Sequence, residues 1–287
     1  MKFYGTSAAE GIPNPFCSCP VCDNARRTGG LEVRRRSMFR LDEQVCIDLS
    51  ADSFQQAIEY GDFTKLKHVL VTHTHEDHLN YMMMNVRNMA IERQDEPLHY
   101  YFTDKAYEIV DFYRQSRPII KGMTAELENR GIIAFHKLEF NKPSEIANMT
   151  VTPLRGNHIG NMGENCANYL LQMADGKKYY YGLDSGWYLP DTFKALEGAA
   201  LEVLISECTF GLTEGRGLHP DGHLDAFSCM ELFRKLLEQG TIHTGTRIYL
   251  THINHYTSTH AELTEWFAKQ DFPCEITVAW DGMEIAK

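Results

Sequence analysis

Two short stretches concentrate side chains that can hold metal. Residues 16–22 read FCSCPVC and place Cys17, Cys19 and Cys22, three of the eight cysteines, within seven residues. Thiolates at this spacing supply most of a tetrahedral zinc clamp, which needs a fourth ligand. No second cysteine cluster follows to provide it. Residues 72–78 read THTHEDH, so His73, His75, Asp77 and His78 follow directly on the apolar run KHVLV. In an extended segment His73 and His75 point the same way, and Asp77 and His78 come where the chain must turn. One short loop can then face two adjacent metal positions. Imidazoles with a carboxylate suit Zn, Fe or Mn better than Ca or Mg. Glu76, inside the motif, is read as pointing away.

Further donors stand near strand ends. His158 follows VTPLRGN, Asp184 ends YYYGLD and His252 ends RIYLTH, while His223 and His219 share the Gly-rich loop LTEGRGLHPDGHLD. Any one could be a turn residue or cap. Together they describe polar ligands along one rim of a sheet scaffold. His68, His99, His136, His243 and His260 lack partners at ligand spacing and receive a structural reading.

The elements that must position these donors are legible from periodicity. Short β-branched or aromatic runs predict strands at 43–49, 67–73, 149–154, 177–184, 202–207, 247–252 and 275–282. In KKYYY, alternate faces are expected to be buried. Helical periodicity predicts helices near 53–60, 80–93, 104–116, 187–197, 225–239 and 259–269. Thr259 with Glu262 reads as a capping box, and Asp225 and Gly240 bracket the helix before it. The YMMMN stretch at 81–85 reads as a helix start packing into the core, with room for one Met to line a pocket. Strands and helices are interspersed without strict alternation, so an α/β or layered α+β architecture follows. Residues 117–135 read as a surface insertion near a site or as an oligomer contact.

Composition narrows the function classes. The chain has 287 residues, 43% hydrophobic, with a formal net charge of −11. That charge weighs against a large nucleic-acid partner. The run Arg34–Arg36 is read as a solvated strand face. No run is long enough to span a bilayer, and MKFYGTSAAEG has neither an apolar signal core nor an arginine-rich transit pattern; a cytoplasmic chain is expected. Cys46, Cys166, Cys208, Cys229 and Cys274 occur singly and read as small buried hydrophobes or free thiols.

The series HxHxDH, then His, Asp and His, resembles the metallo-β-lactamase superfamily. The resemblance implies a four-layer αββα sandwich spanning 1–287, with a dinuclear site on one edge. It implies one ion on His73, His75 and His158, another on Asp77, His78 and His252, and Asp184 bridging them. The opening GTSAAEGIPNPFCSCPVC is similar to PhnP-type phosphodiesterases of carbon–phosphorus lyase pathways. There the cysteine triplet binds a structural zinc, completed by a His three residues after the last active-site His. In LTHINH (250–255) that residue is His255. A zinc loop at 16–22 and a helical insertion at 104–135 complete this picture. The opening also resembles PqqB-type proteins, whose metal loop is degraded; the intact HxHxDH favours the hydrolase group. Two departures border the substrate pocket: LNYMMMN where a glycine usually follows the motif, and DLSADS where one usually follows the strand-end Asp48.

By this resemblance the active site takes two divalent ions, Zn or Mn, and a hydroxide bridging them attacks a phosphodiester, as for a small cyclic phosphate. Asp77 and His223 are the candidate catalytic residues. His223 would protonate the leaving group or clamp the phosphate, with His219 as its rival and co-ligand for substrate. Alternatives on the same scaffold are an RNA-processing endonuclease, a lactonase or thioester hydrolase, and a PqqB-like non-catalytic metal binder. A homodimer is the expected assembly.

Overall fold

The computed structural model describes residues 1–116 and 123–286. Two sheets form its centre. The first runs β1 (Lys2–Gly5), β2 (Met38–Arg40), β3 (Val45–Ile47), β4 (His68–Leu70), β5 (Leu98–Thr103) and β6 (Ile133–Leu138), in spatial order. Strands β1 to β3 are antiparallel neighbours and β3 to β6 pair in parallel. The second contains β7 (Ser144–Ile146), β8 (Met149–Ile159), β9 (Asn165–Met173), β10 (Lys178–Gly182), β11 (Val203–Glu207), β12 (Arg247–Thr251) and β13 (Glu275–Val278), again in spatial order. Here β7 to β10 are antiparallel and β10 to β13 parallel.

Alternation along the strands dictates four layers, because successive side chains point to opposite faces. Tyr179, Tyr181, Val203, Ile205 and Tyr249 meet Phe3, Phe39, Val45, Ile47 and Leu70 between the sheets. Their neighbours Tyr180, Leu204, Ile248 and Leu250 face outward onto helices α1 (Pro20–Thr28), α6 (Pro190–Leu196), α7 (Ala226–Glu238) and α8 (His260–Ala268). On the other side Cys46, Val69, Tyr100 and Phe102 face helices α2 (Ser53–Tyr60), α3 (Tyr81–Asn88), α4 (Asp104–Ser116) and α5 (Met123–Asn129). This is the αββα sandwich. No helix among the described residues is long and apolar enough to cross a membrane.

Most expected elements appear, with instructive differences. The Thr259–Glu262 capping box forms, and Asp225 caps α7 through Ser228. Helix α3 stops at Asn88 rather than 93, and only Met84 of its methionines is fully buried. Helix α1 was not anticipated: Cys19 is its N-cap and Pro20 opens it, a favoured first helical residue. The segment expected as a helical insertion at 104–135 carries two helices. Helices α4 and α5 lie on the connection from β5 to β6, which pair in parallel and so require a crossover. The expectation of a surface insertion or oligomer contact at 117–135 falls partly on 117–122, outside the described residues.

The arginine run is not a solvated face. Arg34 is 3% exposed and donates to Thr6 Oγ1 and to the Ala279 carbonyl, both at 2.7 Å. Arg35 pairs with Glu59 and Asp281, and Arg36 with Asp52. The run therefore ties the first strands to the C-terminal segment. Arg34 Nη2 also lies 2.8 Å from His260 Nδ1, so that nitrogen must accept and the ring must be neutral. Burial, and then the Arg34 charge, push the His260 pKa down from 6.5 to about 4. A depressed folded-state pKa contributes stability that is complete above the unfolded value and lost as pH falls toward the folded one. His260→Gln keeps an acceptor but does not titrate. It is expected to flatten the fall in Tm between pH 6.5 and about 4; an unchanged slope would contradict this account.

Candidate metal centre

The chemistry-bearing side chains converge on one edge of the sandwich. Asp48 follows β3, the His73–His78 loop follows β4, Asp184 follows β10, Glu207 ends β11 and His252 follows β12. Asp48, Asp184 and His252 all adopt positive φ, at 62°, 49° and 56°. That region is costly for residues other than Gly and persists where surrounding structure holds it. Each of these strands is thus turned sharply where its donor enters the site. The predicted strand at 67–73 ends at Leu70, so His73 and His75 lie in the loop that leads into the turn at 76–78, and alternation does not orient them. Their convergence comes from the course of that loop: His73 Nε2 is 2.9 Å from His75 Nδ1. His158 sits inside β8, where the register with β9 shifts between Arg155 and Ile159. Such an irregularity re-aims a side chain.

Asp184 is the hub. Its Oδ2 lies 3.1 Å from His78 Nε2, and its Oδ1 lies 3.4 Å from His252 Nε2 and 3.5 Å from His223 Nδ1. Asp77 Oδ2 is 3.2 Å from His78 Nε2. The rings of His73 and His158 have centroids 5.6 Å apart, and those of His75 and His158 5.5 Å. Burial alone would raise the Asp184 pKa, but the His252 and His78 imidazoles outweigh it and hold the carboxylate well below its ordinary range.

A layer of unexposed groups sets the tautomers. Asp48 Oδ2 is 2.7 Å from His78 Nδ1, so that nitrogen donates and Nε2 is the atom turned toward Asp77 and Asp184. Thr72 donates its hydroxyl to Asp48 and can then accept from His73 Nδ1 at 3.1 Å. Thr209 donates to Glu207 at 2.6 Å and accepts from His252 Nδ1 at 2.9 Å. Glu207 also accepts from the Ser185, Gly186 and Leu224 backbone amides. His78 and His252 therefore turn unpartnered Nε2 atoms inward and His73 turns its Nε2 toward His75, the second-layer pattern of metal-ligating histidines.

These donors fit bound metal. His78 Nε2, His158 Nε2, His252 Nε2 and Asp184 Oδ2 are buried without a hydrogen-bond partner. Buried polar atoms are rarely left so. Donor atoms of His73, His78 and Asp184 cluster within 4.8 Å, as do those of Asp77, His78 and His252. Cys166 Sγ joins His73 and His158 in a further cluster, although its isolated position in the sequence gave no hint of this. His223 also enters the site, with Nδ1 3.0 Å from Glu207 Oε2. His219 is exposed and stacks on Trp187 with centroids 3.8 Å apart. The backbone ties that stack to the site, since Trp187 N donates to the Pro220 carbonyl and Gly222 N to the Asn157 carbonyl. Gly186 makes the close approach possible: a Cβ there would sit 2.7 Å from Gly222 N and from Pro220 O.

The cysteine cluster offers a second set of metal donors. Donor atoms of Cys17, Cys19, Cys22 and His255 all lie within 4.8 Å of one another. Cys19 Sγ is 3.4 Å from His255 Nδ1, across 236 residues of sequence. His255 Nε2 faces Glu10 at 3.7 Å. Burial and the adjoining sulfurs push the Cys22 thiol up to about 12. Three thiolates in this space would repel one another, and a tetrahedral divalent ion such as zinc would offset two of their three charges. Residues 6–8 exchange hydrogen bonds with Ile253, which seats the cysteine loop beside His252.

Residues 44–253 match the Beta-lactamase superfamily domain. The chain belongs to the metallo-β-lactamase superfamily. Its members are mostly metal-dependent hydrolases. A diphosphatase from the PhnP family superposes with a TM-score of 0.70 at 20% identity, covering 100% of this chain and 96% of that one. Zn-bound PqqB from Methylobacterium extorquens gives 0.68 at 17%, covering 98% of each chain. The short form of human tRNase Z gives 0.62 at 15%, covering 99% and 98%. These likenesses are of fold. No curated protein matches the sequence.

Two outcomes follow. Cys19→Ser is expected to lose about one zinc per chain and to lower Tm, because a structural zinc contributes folding free energy; full zinc content and unchanged Tm would refute the clamp. Asp48→Asn is expected to weaken active-site metal retention by on the order of 10–100-fold in a chelator titration, the usual cost of losing an outer-layer carboxylate. Unchanged retention would show that Asp48 does not orient His78.

Proposed function

We propose that the protein is a two-metal phosphodiesterase acting on a small phosphate ester, with a cyclic phosphate as the favoured substrate class. The observation that carries this reading is the set of bare, buried nitrogens and carboxylate oxygens facing one another around Asp184, with the His223–Glu207 pair at their side. His73, His75 and His158 would hold one ion, Asp77, His78 and His252 the other, and Asp184 would serve both. Ions bound there would acidify a water at neutral pH and neutralise charge on a phosphoryl group. The structural likeness to a PhnP-family diphosphatase and to tRNase Z supports phosphate over a lactone or thioester. The two carboxylates balance part of the charge of two divalent cations, leaving a positive site suited to an anionic ester.

His223 has the environment of a proton donor. Burial alone would lower its pKa, but Glu207 at 3.0 Å outweighs it and, with Asp184, lifts it to about 9. Nδ1 is held by Glu207, so Nε2 is the atom that can release a proton to a departing alkoxide. Glu207 keeps the ring in that orientation and stabilises its cation, while Thr209 links the same carboxylate to His252.

The metal-loaded protein is expected to hydrolyse bis(p-nitrophenyl) phosphate and cyclic phosphodiesters. His223→Gln is expected to lower kcat by ~10²–10⁴-fold on an ester with an alkyl leaving group. The loss should be far smaller with p-nitrophenol, which departs without a proton. Equal losses on both esters would remove His223 from that role. Lactone opening without any phosphodiester hydrolysis would overturn the assignment itself.

A further inference from the structure

A second group of histidines lies apart from the metal centre, at residues read one by one as structural. The parallel register sets His68 of β4 opposite His99 of β5, and His99 opposite Ala134 of β6, two residues before His136. Val69, Tyr100 and Phe135 face the outer helices. Alternation therefore turns His68, His99, Tyr101 and His136 toward the space between the sheets. All four are half-buried. The small Ala134 leaves space opposite His99, and His136 fills it, with Nε2 2.8 Å from His99 Nδ1. His68 stacks on His99 with centroids 5.3 Å apart. Tyr101 stacks on His136 at 4.8 Å, and its hydroxyl lies 3.0 Å from His68 Nδ1. The four rings form one packed block across three strands.

Two features separate this block from scattered surface histidines. The 2.8 Å between His99 Nδ1 and His136 Nε2 is nearly the 2.9 Å between His73 Nε2 and His75 Nδ1, the pair that converges on one position of the active-site centre. An ion at the Zn–N distance of ~2.0–2.1 Å can contact both nitrogens of such a pair. The rings are also kept in their ligating, neutral form. Burial lowers all three pKa values, and neighbouring imidazoles lower those of His68 and His136 further. Lys67 and Arg87 oppose protonation as well, while Glu96, paired with Lys67 at 2.7 Å, and Asp42 act the other way.

We propose that His99 and His136, braced by His68 and Tyr101, form an auxiliary seat for a borderline transition-metal ion such as Zn²⁺ or Ni²⁺. The seat lies toward the start of β4 and β5, whereas the metal loop follows the end of β4. Imidazole donors without carboxylates favour these ions over Mg²⁺ or Ca²⁺. Binding needs no net loss of a proton: the ring that donates between Nδ1 and Nε2 shifts that proton to its own other nitrogen.

The test uses the zinc-loaded protein in equilibrium dialysis against Ni²⁺, counting both metals and reading nickel X-ray absorption for imidazole ligation. One nickel per chain is expected, with imidazole scattering and no loss of zinc. It should disappear in His99→Phe/His136→Phe and in the milder His136→Gln, each checked for wild-type zinc content as evidence of folding. It should remain in His243→Ala, which removes an exposed loop histidine. Absence of extra nickel in the wild type, its retention in the cluster variants, its loss in His243→Ala, or uptake only with displacement of zinc would each overturn the proposal.

Discussion

Asp48, Asp184 and Glu207 are carboxylates almost wholly removed from water, and the edge of the sandwich is organised around satisfying them. Burying charge is costly unless it is paired and hydrogen-bonded. Asp48 is met by the Thr72 amide, the Thr72 hydroxyl and His78. Glu207 is met by three backbone amides, Thr209 and His223. Asp184 differs: its Oδ2 has no hydrogen-bond partner and faces imidazole nitrogens that likewise have none. A cation is the simplest partner for that arrangement. The two satisfied acids hold the histidines in the tautomer that leaves their inner nitrogens bare.

The rest of the fold makes this arrangement possible. Parallel pairing brings the ends of β3, β4 and β5 to one edge in one sheet, and those of β10, β11 and β12 in the other. Left-handed backbone at Asp48, Asp184 and His252 then turns each chain as it leaves its strand. Beside His252 the N-terminal segment and its cysteine cluster pack against Ile253 and His255. Behind them, Arg34 and Asp281 tie the first strands to the C-terminal segment. The cysteine cluster and a buried ion network thus both brace the loop that carries His252.

Much of this was legible in the sequence, and the exceptions share a cause. The aromatic alternation of Tyr179–Tyr181 specified a strand buried on both faces, as found. The compact motif at 73–78 and the strand-end residues Asp184 and His252 announced themselves by residue type. Glu207, Thr209 and Thr72 did not, because a buried acid at a strand end looks like any turn residue until its partners are known. Arg34 departs from the solvated reading because a basic run next to a strand gives no sign of the hydroxyl and carbonyl that meet it across the chain. His99 and His136 are far apart in sequence and meet only through the register of β5 and β6. Local pattern fixes which face a residue takes; it does not say which strand lies opposite.

The measurement that tests the account most directly is anomalous diffraction from crystals of the metal-loaded protein, collected on either side of the metal's absorption edge. Two peaks are expected flanking Asp184, within ligand distance of His73, His75, His158, Asp77, His78 and His252, and one peak enclosed by Cys17, Cys19, Cys22 and His255. A peak at the cysteine cluster alone, with hydrogen-bonded water filling the space around Asp184, would contradict it.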